Sequence, residues 1–248
     1  MQALRALVIR ELKAFWYSPI AYVVGGLFLL MQGWVFSIIV AAMNDPRMDP
    51  SYTMSQFFFG GSLFFWFSVL LMSALLTMRT FSEEKRTGTI ELLLTAPVSD
   101  AQVVLAKFLG AWLAYSMLWA ASLALFAALR LRTPFEWGPV FSGLLGTCLM
   151  GGLFTAIGVL ASSLTRNQVI AAVLTLVIAI LLFSVGILDI FVHDPEATEL
   201  IRYFSIIEHA RDFARGIIDT RPIILYASLS AIALFLTGRV IASPRWRS

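Results

Sequence analysis

The sequence predicts an all-α polytopic membrane protein with six transmembrane helices, an N-terminal interfacial helix, a cytoplasmic helix between spans two and three, and an amphipathic external segment before span six. Three observations carry this. Hydrophobic residues make up 59% and charged residues 13% of the 248 positions, against roughly 45–50% and 25% in soluble domains, so a water-soluble surface cannot be built. Six long apolar runs contain no Asp, Glu, Lys, Arg or His, as lipid requires when each central charge costs about 2.5–3.5 kcal/mol. Lys and Arg are unevenly divided among the connections, eleven on one side and seven on the other, which places both termini in the cytoplasm. No polar block is long enough to fold separately, so residues 1–248 read as a single membrane domain.

In chain order, residues 1–18 form the interfacial helix. Leu4, Leu7, Val8, Leu12 and Phe15 share one side, Arg10 and Lys13 lie opposite, and Trp16 and Tyr17 suit the headgroup level. Glu11 and Arg5 intrude on the apolar arc, through either a covering partner surface or interfacial snorkelling. The first run, Ile20 to Met43, has 24 residues; it is too long for a signal-peptide core and spans roughly 36 Å as a helix. The other runs are Phe57 to Met78, Phe108 to Leu129, Trp137 to Leu164, Val169 to Leu188 and Pro222 to Gly238. Extended by their flanks, the six spans are set at about 20–43, 57–78, 103–129, 137–164, 169–190 and 222–242, with Arg239 snorkelling at the end of the last.

Two connections carry structure of their own. Between spans two and three, Arg79 to Asp100 is the most polar cytoplasmic segment. Ile90 to Leu94 reads as a short helix after Gly88, its leucines needing cover. Pro97 then stops the segment, and Ser99 with Gln102 forms a capping box, stapled by Val98 on Val103. Between spans five and six, residues 190–221 alternate apolar and charged positions, with Ile201, Phe204, Ile207 and Phe213 on one side of an amphipathic helix along the outer leaflet.

The residues exclude most chemistry. The three lysines follow Leu12, Glu84 and Ala106, so no Gly-Lys pair exists to build a phosphate-cradling loop. His193 and His209 lie near Asp194, Glu196, Glu208 and Asp212, yet their spacing matches no metal motif, and a hydrogen-bonded loop face is favoured over a site. Uncharged spans argue against an ion-coupled carrier. With no Lys/Arg-rich run there is no nucleic-acid partner to expect, and the single Cys148 permits no intrachain disulfide. Span four is rich in small residues, among them Ser142, Gly143, Gly146, Gly151, Gly152 and Gly158; these serve either close helix packing or a substrate path. The aromatic run from Phe57 to Phe67 carries the same two readings.

The segment RTFSEEKRTGTIELLLTAPVSDAQVVLAKF, Arg79 to Phe108, resembles the loop between spans two and three of ABC-2 type ABC transporter permeases. ELKAFWYSPIAYVV from Glu11, ASSLTRNQVIAAV from Ala161 and FARGIIDTR from Phe213 resemble the gliding-motility-type (GldF-like) branch of that family. The resemblance implies a permease that moves or extrudes a substrate and is not catalytic on its own. It implies a dimer, with a second copy or a related permease, docked on separate ABC ATPase subunits that bind ATP and Mg. Glu83, Glu84, Lys85, Arg86, Gly88, Thr89, Glu91, Leu92, Leu93 and Leu94 would form the ATPase-coupling region. A re-entrant element before span six, a companion protein with an external domain, and a bacterial inner membrane whose lipid surrounds the spans are further implications. A membrane anchor relaying ATPase motion without transport is the alternative reading.

Overall fold

The apolar runs fold as helices whose ends are set by capping side chains and by Pro and Gly. The computed structural model describes residues 2–47, 53–89, 99–188, 191–192 and 194–243. Helix α1 (Gln2–Trp16) stops before an extended Ser18, and Pro19 opens α2 (Pro19–Met43), because a residue preceding proline disfavours helical geometry while proline suits a first helical position. Ser99 accepts from the Gln102 N–H while the Gln102 side chain accepts from the Ser99 N–H, so the predicted capping box opens α6 at Asp100. Val98, Pro97 and the expected helix from Ile90 to Leu94 lie outside the described residues.

Among the described residues, six helical stretches are long and apolar enough to cross a membrane: Ala21–Met43, Leu63–Thr87, Asp100–Arg130, Trp137–Ser163, Gln168–Val185 and Thr220–Ile241. No strand occurs among the described residues. Two spans differ from expectation. The second does not run unbroken from Phe57: a short α3 (Met54–Gln56) leads into a π-helical turn, Phe57–Gly61, in which Phe59 and Gly60 leave helical geometry. Gly60 has φ 146°, a region open to glycine alone at low cost. Ser62 then accepts from the Phe65 N–H and caps α4 (Leu63–Thr77), followed by a turn and α5 (Ser82–Thr87), which ends at a left-handed Gly88. The third span, which opens at Asp100 behind the expected Ser99 cap, turns at Ser122 between α6 (Asp100–Ala121) and α7 (Leu123–Arg130).

Helix α8 (Trp137–Ser163) is the centre of the bundle and packs against α4, α6 and α9 (Gln168–Val185), and against the last two helices, α11 (Ile206–Arg215) and α12 (Thr220–Ile241). Its glycines explain how. A Cβ on Gly143 would sit 2.6 Å from Phe59, one on Gly146 2.6 Å from Phe213, one on Gly151 2.0 Å from Tyr115, and one on Gly158 2.0 Å from Thr77. The small residues of span four are therefore sockets for side chains of neighbouring helices, the packing reading of that stripe. The aromatic run packs likewise: Phe58, Phe59, Phe65 and Trp66 are buried with Phe36, Trp119 and Phe126, with Phe59 stacked on Phe126 at 5.7 Å. Phe64 and Phe67 face outward.

The connection before span six forms two helices, α10 (Pro195–Phe204) and α11, divided at Ser205, which caps the second. The expected single apolar side is thus split: Phe204 is exposed on α10 while Phe213 is buried on α11. Ile206, His209, Ala210, Phe213 and Ala214 are all buried. Rather than lying free along a surface, α11 fits into the break of span two: Ala210 meets Gly60, and Ser55 Oγ donates to the Ala214 carbonyl at 3.0 Å. His209 Nδ1 and Tyr226 Oη share a buried hydrogen bond of 2.9 Å that ties α11 to span six.

Candidate coupling site at the terminal end of the bundle

Helix α1, the turn after α4, the start of α6 and the ends of α8 and α12 converge at one end of the molecule. Phe81 is fully buried there among Val103, Val104, Val159 and Ile241. The chain reverses at this point, and a reversal leaves backbone amides without helical partners. Ser162 on α8 supplies them: its Oγ accepts from the Phe81 and Ser82 N–H groups at 3.0 and 3.1 Å and donates to the Met78 carbonyl. Lys85 on α5 is buried and donates to the Ser163 carbonyl. The elbow is thus anchored on the last turn of α8 from both sides.

A buried cation organises the other face. Lys107 on α6 is 2% exposed and donates to Glu84 Oε1 at 2.7 Å, with Glu11 Oε1 at 3.6 Å. Its ammonium also lies 5.1 Å from the Phe81 ring centroid, a favourable cation–π position. Such partners offset the cost of taking an ammonium group out of water. Arg10 pairs with Glu11 at 2.8 Å from the outer side. A Cβ on Gly110 would fall 2.7 Å from Glu11 Cβ, so the glycine lets α1 approach α6 closely enough for the carboxylate to reach Lys107.

The coupling residues expected from the sequence therefore divide by direction. Glu84 and Lys85 point inward and bind α6 and α8. Glu83 is half-buried, and Arg86, Gly88 and Thr89 are exposed, with Thr87 Oγ1 bonded to Thr89 Oγ1 at 2.9 Å. Glu91, Leu92, Leu93 and Leu94 lie outside the described residues. Sequence reasoning missed Glu11, Lys107, Ser162 and Ser163 as members of this site. The available signals were the carboxylate interrupting the apolar arc of α1 and a cation at the mouth of an uncharged span.

Among the described residues, the other end offers no comparably buried cluster of charges. His209 is held by Tyr226, and burial pushes its pKa below the ordinary value despite Glu208, Asp219 and the Tyr203 backbone acting in the opposite sense. His193 lies outside the described residues, and among those described no group of three or more His, Cys, Asp or Glu could hold a metal.

The sequence model of the ABC-2 family transporter proteins matches residues 37–238, which includes the elbow, all of α6 and α8, and the α10–α11 connection. A comparison with curated proteins gives no match. With six candidate spans and a family match over most of its length, the chain belongs to the ABC-2 transporter family, as a multi-pass membrane permease component of the kind that works with ABC ATPase subunits.

Proposed function

We propose that this permease moves or extrudes a substrate across a bacterial inner membrane, using ATP hydrolysed on separate ABC ATPase subunits that dock on residues 83–94. ATP and Mg then belong to those subunits. Both termini and the elbow face the cytoplasm, in accord with the Lys/Arg bias. The permease pairs with a second copy or a related permease, and its local sequence favours the gliding-motility-type branch. The observation that carries the reading is the elbow's construction: Glu84 and Lys85 fasten it inward to α6 and α8, while Arg86, Gly88 and Thr89 are presented outward. A push on the exposed residues is therefore delivered to α1, α4, α6 and α8 together.

Reconstitution of the permease with its ATPase subunits tests this by measuring ATP hydrolysis and substrate movement side by side. Glu84→Gln should lower transport per ATP hydrolysed while leaving the subunits associated. Unchanged transport in that variant would remove the inward fastening from the mechanism.

One observation favours a second reading, in which the chain relays ATPase motion to a companion protein on the far side without transport. Helix α4 joins the elbow to the π-helical turn, and that turn holds α11 through Gly60 and Ala210. Steady hydrolysis with no substrate movement, accompanied by an ATP-dependent change at a probe on the exposed Leu200 of α10, would select the relay.

A further inference from the structure

Helix α10 carries an apolar stripe that the described residues leave open. Ala197, Leu200, Ile201 and Phe204 fall at i, i+3, i+4 and i+7, while Glu196, Glu199 and Arg202 take the opposite side. Leu200 stays 63% and Phe204 45% exposed. Both belong to the roof of a groove of about 260 Å³, walled by α9 through Leu182 and Val185 and by α12 through Leu225 and Leu229, with α8 behind. One corner of this roof is fixed, since a Cβ on Gly186, just after α9, would fall 2.6 Å from Ser205 Oγ.

Depth and chemistry narrow the occupant. Leu229 lies about 14 Å along α12 from Thr220 at the helical rise, so the groove descends to the middle of a hydrocarbon core of roughly 30 Å. That is the depth of one leaflet. Both walls are candidate membrane spans, and Leu181 and Ile224, next to lining residues, are exposed, so the open side of the groove faces hydrocarbon while α10 closes it toward water. Among the described residues that line it, the only polar side-chain atom is Tyr226 Oη, already bonded to His209. No side-chain donor or acceptor is left for a headgroup, a sugar or a peptide. The groove is also smaller than the roughly 300–1,000 Å³ of sites that take whole small molecules. One turn of a partner helix, about 10 Å wide and 5.4 Å long, needs about 420 Å³. A single hydrocarbon chain suits the space better than either.

We propose that this groove binds one acyl chain of a phospholipid from the leaflet on the α10 side. The chain fills the space under α10 and holds that helix against spans five and six, with its charged side toward the headgroups. Because Ser205 joins α10 to α11, the bound chain also steadies the helix seated in the break of span two. The site selects the chain and not the headgroup.

A density map of the full chain in lipid nanodiscs reads the occupant without any variant: one unbranched tube of density should run from beneath Leu200 toward Leu229. Native mass spectrometry of the chain in detergent should show one phospholipid retained after extensive lipid removal. Phosphatidylglycerol and phosphatidylethanolamine with the same chains should be retained alike, and a short-chain analogue several-fold less. Leu182→Trp and Leu225→Trp, each placing an indole in the groove, should lower retention several-fold while the α8 amides stay protected from hydrogen exchange; Leu181→Trp, on the exposed side, should keep it. Removing the lipid should speed exchange along α10 several-fold and leave α8 unchanged. An empty groove or protein density within it, retention that follows the headgroup, or retention unchanged in both groove variants would overturn the proposal. Palmitate retained in place of the phospholipid would assign the groove to a free fatty acid and overturn it as well.

Discussion

Replacing Lys107 with Met tests whether one buried cation holds α1 to the bundle. The substitution keeps the length and apolar stem of the side chain and removes the charge that lies 2.7 Å from Glu84 and 3.6 Å from Glu11. Breaking a fully buried pair from one side costs about 3–5 kcal/mol, because the abandoned charge has no solvent. Here the carboxylates keep 22% and 20% side-chain exposure, so water recovers part of the loss and about 2–3 kcal/mol is expected. That corresponds to roughly a 30- to 140-fold rise in the population with α1 undocked. Hydrogen exchange of the α1 amides in a lipid nanodisc measures it, since local opening exposes those amides without global unfolding. Glu11→Gln, which removes the cation's partner on α1, should reproduce most of the effect there, while Glu84→Gln, on α5, should act mainly on the α5 amides. Unchanged exchange along α1 in Lys107→Met would refute the reasoning and leave apolar packing as the sole attachment of the helix.

Other substitutions test the remaining contacts. Gly151→Ala and Gly158→Ala place a methyl 2.0 Å from Tyr115 and Thr77, and each should cost about 1–3 kcal/mol in reversible unfolding; Gly26→Ala and Gly33→Ala, with nothing within 4 Å, should be neutral or stabilising. Ser162→Ala strands the Phe81 and Ser82 amides, at about 1–3 kcal/mol for each buried donor left unmade, and exchange at those two amides should rise. Burial holds the His209 pKa below its ordinary 6.5, so the unfolded chain takes up that proton first as pH falls. The neutral histidine's stabilisation is therefore present above about 6.5 and declines below it. Melting temperature should drop more steeply from pH 7 to pH 5 in the native chain than in His209→Gln.

Much of this architecture is legible in the sequence because lipid imposes a simple rule: an uncharged run long enough to cross is read directly. The capping box at Ser99 and Gln102 is equally local, and it sets the start of α6 as expected. The break in span two escapes the same reading because every residue from Phe57 to Gly61 is apolar or glycine, so hydropathy runs straight through it. Its signal was Gly60–Gly61 before Ser62, a flexible pair followed by a helix cap. The α10–α11 connection was visible as amphipathic, but its burial depends on Gly60 and Gly146 giving room to Ala210 and Phe213, which joins residues distant in the chain. Glu11 and Lys107 illustrate the same limit at the candidate site. Each stands out locally as a misplaced charge, and only the approach of α1 to Gly110 makes them partners.

Co-purification of an ABC ATPase subunit with this permease most directly tests the claim that residues 83–94 couple it to ATP hydrolysis. The native chain should retain the subunit, and a chain with Leu92, Leu93 and Leu94 replaced by Asp should lose it while keeping its helical content and its α1 protection. Retention of the subunit by that folded variant, or its absence from the intact native complex, would contradict the account.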